Sequence, residues 1–64
     1  MIVYNVSGRR HKYEVYKPET GTKFYVRKLT IAGGKKVGSD KAWPSKEAAV
    51  RDADRRARDE GVMV

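Results

Sequence analysis

The chain has 64 residues, no cysteine, one histidine and a net charge of +7, with an isoelectric point near 10.0. This length gives one domain with a thin core, because so small a chain hides only about 60% of the surface its unfolded form exposes. Disulfides and thiolate metal sites are excluded, and the lone His11 has no carboxylates spaced to complete a zinc site.

Residues 2–6 read as a first strand, closed by the turn pair Ser7-Gly8. Residues 11–17 alternate, with Tyr13 and Val15 on one face and Lys12, Glu14 and Tyr16 on the other. Pro18-Glu19-Thr20-Gly21 has turn chemistry. Residues 23–31 form the next strand, with Phe24 and Val26 on one face and Tyr25 and Arg27 on the other. Leu29 and Ile31 fall out of phase with Phe24 and Val26, and a bulge near Arg27-Lys28 would restore the phase. Ala32-Gly33-Gly34-Lys35 predicts a hairpin turn into a weaker strand over 36–42.

A helix is expected over 45–60. Ser45 is a natural N-cap, Glu47 lies in the first turn and Gly61 suits the C′ position. Ala49, Val50, Ala53 and Ala57 make a narrow apolar stripe at helical spacing. Such a stripe lets a helix lie close to a sheet, with Trp43 as core filler beside it. The apolar tail Val62-Met63-Val64 is expected to pair with a sheet edge or to fray. The fold class is therefore α+β, a three- to four-stranded antiparallel β-sheet packed on one C-terminal α-helix.

The charge is unevenly placed. The helix carries five basic and five acidic residues, with acids four positions before bases at Glu47–Arg51, Asp52–Arg56 and Asp54–Arg58. It reads as a neutral, solvated, salt-bridged face. Residues 1–44 hold ten bases and three acids, hence the whole net charge. If Tyr13, Val15, Phe24 and Val26 face the helix, the other sheet face shows Lys12, Tyr16, Tyr25 and Arg27. Lys36 joins them, with Arg9 and Arg10 at the rim and Lys35 beside the glycine hairpin tip. Bases neutralise phosphates and release counterions, and tyrosines stack on bases or bond phosphates. These eight residues are the candidate nucleic-acid-binding set. A small domain also needs one soluble sheet face, and lysines on strands discourage edge-to-edge aggregation, so the same pattern serves solubility as well.

The run from His11 to Lys23, a later aromatic, and Ser45-Lys46-Glu47-Ala48-Ala49 resemble the arm-type DNA-binding domain of tyrosine recombinases. That family, like the plant AP2 domain, has a three-stranded antiparallel sheet on one helix and lays the exposed sheet face into the major groove. The resemblance covers roughly residues 9 to 58 and implies duplex DNA as partner. Residues 29–41 exceed the short link expected there. These 64 residues hold no recombinase catalytic domain, so a stand-alone module is expected. The strand order with Phe24, Val26, Gly38 and the Ser45–Ala48 segment is also similar to the last two-thirds of a double-stranded-RNA-binding domain, without its first helix or its lysine cluster at the helix start. The stretches 13–17 and 43–46 are equally similar to small bacterial ββα proteins, which implies no function.

Nothing in the sequence predicts catalysis or a cofactor. His11 has no serine or cysteine nucleophile arranged near it and reads as a solvated surface histidine. Gly33-Gly34-Lys35-Lys36 lacks the spacing and the Ser/Thr of a P-loop. Asp52 and Asp54, two apart on a helix, point apart. The rival to DNA binding is docking on an acidic partner protein through exposed Tyr4, Tyr16, Tyr25 and Trp43, as small phage-encoded or bacterial regulators do; Tyr, Trp and Arg are enriched at binding hot spots. The apolar residues 2–6 and 62–64 also allow a homodimer. No run reaches the roughly 18 apolar residues of a membrane span, and the segment Met1–Val6 lacks the basic start of a signal peptide. The expected location is cytoplasmic.

Overall fold

Alternation of side chains along three successive segments, each closed by turn residues, builds an antiparallel meander. A computed structural model describes residues 1–61. The strands are β1 (Ile2–Ser7), β2 (His11–Tyr16), β3 (Phe24–Thr30) and β4 (Lys41–Trp43), followed by the helix α1 (Lys46–Asp59). They form one four-stranded sheet in the order β1-β2-β3-β4, every neighbour antiparallel. This is the expected fold. The tail expected to pair with a sheet edge, Val62–Val64, lies outside the described residues.

Two details differ from the sequence reading. β2 and β3 stay in continuous register from His11↔Thr30 to Tyr16↔Tyr25, so there is no bulge at Arg27-Lys28. Leu29, opposite Lys12, simply stays on the face away from the helix, half-buried. The irregularity falls instead in β1, between Ile2 and Tyr4. The weak strand over 36–42 contracts to Lys41–Trp43, with a single bridge at Leu29↔Lys36 before it. Gly34 and Gly38 in that connection have φ of +65° and +71°, a backbone conformation that side chains with a Cβ resist.

The core lies between sheet and helix. Tyr13, Val15 and Val26 from the sheet meet Ala49, Ala53 and Ala57 from the helix, all buried, with Phe24, Trp43 and Val50 packed at the margin. The alanines work as expected. With no bulk beyond Cβ they let the helix sit low on the sheet, and Val15 and Val26 fill the gap. Ser45 caps the helix, its Oγ accepting from the Ala48 amide at 3.2 Å. Gly61 follows with φ +86° and donates its amide to the Arg58 carbonyl.

The helix acids depart from a solvated face. Asp52 is buried, and both Arg55 and Arg56 bridge to it, at 2.8 and 3.1 Å. Asp54 accepts from the Tyr4 hydroxyl. Glu60, at the C-cap, accepts from the amides of Arg10 and His11, from the Tyr13 hydroxyl and from His11 Nδ1 at 2.9 Å. His11 is therefore half-buried and engaged, not a solvated surface histidine. An acid at a helix C-terminus opposes the helix dipole; here four donors offset that cost and tie the helix end to the β1–β2 turn. The same packing requires Gly8, where a Cβ would stand 2.6 Å from Glu60 Oε1 and 3.2 Å from the Ala57 carbonyl oxygen.

Candidate nucleic-acid interface

The sheet has one covered face and one open face, and strand alternation decides which residues the open face presents. From β1 come Asn5 and Ser7, opposite Glu14 and Lys12. β2 contributes Lys12, Glu14 and Tyr16. β3 contributes Tyr25, Arg27 and Leu29, placed across from Tyr16, Glu14 and Lys12.

At the centre of this face the Tyr16 and Tyr25 rings stack, with centroids 5.5 Å apart and planes inclined by 19°. The Arg27 guanidinium lies over the Tyr16 ring, 4.9 Å from its centroid. Glu14, nearly buried, holds the same guanidinium through Nε at 3.2 Å and Nη2 at 2.8 Å, and reaches the Lys12 ammonium at 3.5 Å. Arg27 is thus fixed from two sides, by a carboxylate and by an aromatic face. The Tyr16 hydroxyl donates to Asp40 in the β3–β4 connection, and Lys36 Nζ lies 3.2 Å from the other Asp40 oxygen. The hydrogen bond to Asp40, with burial and the Asp40 charge adding to it, pushes the Tyr16 hydroxyl up to about 12.

Of the eight residues expected at the interface, the structure brings Lys12, Tyr16, Tyr25, Arg27 and Lys36 together on the open face. Arg9 and Arg10 lie in the β1–β2 turn and Lys35 in the β3–β4 connection, all three exposed. Both connections leave the sheet at the end where β2 begins and β3 finishes, so these residues extend the face at one end. Tyr4 leaves the expected docking set, being half-buried on the helix side and bonded to Asp54. Trp43 also belongs to that side. It packs against the core, with the Lys41 ammonium 4.9 Å from its ring.

Two acids, Glu14 and Asp40, pair with the cations of this site and were not among the eight expected residues. Glu14 was legible, since a period of two sets it between Lys12 and Tyr16. Asp40 had no local signal, because it meets Tyr16 across 24 residues of chain. Elsewhere, a shallow cleft of about 400 Å³ between β4 and the helix is lined by Trp43, Ala48, Arg51, Asp52 and Arg55. Among the described residues no group of three or more His, Asp or Glu side chains is placed to hold a metal ion, and no helix is long and apolar enough to cross a membrane.

No protein-family model, curated protein or solved structure matches this chain.

Proposed function

We propose that this domain is a non-catalytic nucleic-acid-binding module that takes duplex DNA on its open sheet face. The observation that carries this reading is the clamped Arg27 above the stacked Tyr16–Tyr25 pair. It is a flat, preorganised cation–aromatic platform on the sheet face away from the helix. Neighbouring strands lie about 4.8 Å apart, so β1 to β3 present a ridge about 10 Å across, which fits a major groove about 12 Å wide. Glu14 takes the Nε side of Arg27, which leaves the outer edge of the guanidinium to meet a phosphate or a base edge. Lys12 and Lys36 flank the platform as phosphate partners, and Arg9, Arg10 and Lys35 extend it. The resemblance to the recombinase arm-type domain implies the same face and the same partner.

A second reading has its own observation. Glu14 and Asp40 pair with Lys12, Arg27 and Lys36, so the centre of the face is less positive than the chain's net charge of +7 suggests. A mixed-charge face of this kind also suits an acidic partner protein.

Substitution separates sheet from helix. Arg27→Ala and Lys12→Ala are expected to weaken duplex binding, Arg27→Ala by about tenfold or more. Arg55→Ala and Arg58→Ala, on the helix, are expected to leave it within about twofold. Equal losses at sheet and helix, measured by fluorescence anisotropy with a labelled duplex, would contradict the sheet-face assignment. Absence of duplex binding at low salt, with capture of an acidic protein that Lys12→Ala and Arg27→Ala weaken, would favour the second reading.

A further inference from the structure

Four acids are tied to the sheet, and they are held very differently: Asp54 accepts from the Tyr4 hydroxyl alone. Glu60 accepts four hydrogen bonds. Glu14 takes two from Arg27 and has Lys12 beside it. Asp40 accepts one, from the Tyr16 hydroxyl. Its Oδ1 is buried and 3.2 Å from Lys36 Nζ, yet makes no hydrogen bond of good geometry. A carboxylate has room for about four donors, and Asp40 is the one of the four with a buried oxygen that accepts no hydrogen bond.

Asp40 is also the one acid of the four on a connecting segment. It lies between Val37, whose amide donates to the Lys28 carbonyl, and Lys41, which pairs with Val26. Gly38 stands just before it with φ +71°. Its side chain sets an anion against one hydroxyl donor and one ammonium beside the Tyr16–Tyr25 stack. A phosphodiester offers the same chemistry, with two non-bridging oxygens to accept from a hydroxyl and a lysine.

We propose that Tyr16 Oη and Lys36 Nζ form a phosphodiester subsite that Asp40 fills in the free protein and leaves when the DNA backbone arrives. The proposal rests on the nucleic-acid reading and deepens it. Arg27, fixed by Glu14, is a permanent part of the platform, whereas the Tyr16–Lys36 position is occupied by the protein's own anion until a phosphate displaces it. Asp40 thereby lowers affinity for any polyanion that cannot place a phosphate at that point.

The test compares two variants with the same change in net charge. Asp40→Asn removes the competing anion; Glu19→Gln removes an acid in the exposed β2–β3 turn. Duplex DNA binding at low salt is expected to tighten about fivefold in Asp40→Asn and less than about twofold in Glu19→Gln. The excess is expected to vanish when Tyr16→Phe or Lys36→Gln is added to Asp40→Asn. Equal tightening in Asp40→Asn and Glu19→Gln, or weakening in Asp40→Asn, would overturn the subsite while leaving DNA binding intact. A gain for inorganic phosphate without a gain for the duplex, followed by NMR of the Lys36 ammonium, would overturn its assignment to the DNA backbone. Absence of duplex binding by the wild-type protein and all variants would overturn the functional reading and the subsite together.

Discussion

The two faces of the sheet use acids for opposite ends. On the covered face, Glu60 and Asp54 accept from tyrosine hydroxyls and backbone amides and thereby fasten the helix and the β1–β2 turn. On the open face, Glu14 and Asp40 meet Arg27, Lys12 and Lys36 and so govern how much positive charge the surface offers. A carboxylate that receives donors from the fold contributes stability. One that receives surface cations sets their orientation and availability, and its pair with an exposed ammonium such as Lys12 adds only about 0–1 kcal/mol. Net charge alone does not distinguish the two cases; the position of each acid does.

The sharpest way to break that contrast is to substitute one acid or cation on each face and read stability and binding together. Glu60→Gln leaves the donors around it partly unsatisfied and is expected to cost about 2 kcal/mol of unfolding free energy. Against a total of about 5–15 kcal/mol, that is a large fraction for so small a domain. Duplex affinity of the folded protein is expected to stay within about twofold. Lys12→Ala, which removes an exposed cation and leaves Glu14 its bonds to Arg27, is expected to do the reverse, losing about fivefold in duplex affinity with a stability change under about 1 kcal/mol. Chemical denaturation and anisotropy on the same samples check both. A large stability loss in Lys12→Ala would erase the distinction between the faces.

Gly8→Ala tests how closely the β1–β2 turn meets the helix end. Its Cβ would press on Glu60, which four donors pin in place, and on the Ala57 carbonyl. A loss of about 1–3 kcal/mol is expected, with duplex binding retained.

pH gives a smaller, graded version of the same comparison. Burial pushes the Glu60 carboxyl up, but bonds from Tyr13, His11 and the Arg10 and His11 amides outweigh it and hold it at about 2, below its ordinary 4.5. A lowered carboxylate contributes stability that is present above pH 4.5 and lost as pH falls towards 2. Burial, then the bond to Glu60, push the Tyr13 hydroxyl up to about 12. A raised tyrosine contributes stability that is present below pH 10 and lost as pH rises towards 12. Wild-type stability is therefore expected to fall at both extremes, and Glu60→Gln to flatten the acid limb. An acid limb of unchanged steepness in Glu60→Gln would show that other carboxylates dominate it.

Much of the fold was legible because it rests on local rules. Period-two alternation marked β2 and the start of β3, Ser45 and Gly61 marked the helix ends, and Ala49, Ala53 and Ala57 marked the face that meets the sheet. The absent bulge shows where such rules weaken. Leu29, being apolar, reads as a core residue, but a sheet this small leaves apolar side chains on its open face, Leu29 beside Lys12 and Ile2 beside Tyr16. The weak last strand reads as longer than it is because Lys36 and Lys41 look alike in sequence, while only the latter belongs to β4.

The candidate site was half legible. Placing Lys12, Tyr16, Tyr25 and Arg27 on one face needs only alternation and the identity of the covered side. The pairings that define the site's chemistry need the register between strands and the path of a ten-residue connection. Glu14 against Arg27, and Asp40 against Tyr16 and Lys36, therefore emerge only in three dimensions. The Glu60 cluster was hidden for the same reason, since it joins residues 47 to 50 positions apart.

The central claim is that the open face neutralises DNA phosphates, and its most direct test is the salt dependence of duplex binding. About three phosphate contacts give a log–log slope near −2.7, hence a roughly 40-fold loss of affinity between about 50 and 200 mM salt. The account predicts that loss for the wild-type protein, starting from micromolar or tighter binding at the lower salt. No binding at the lower salt, or binding indifferent to salt, would contradict it and turn the open face towards a protein partner.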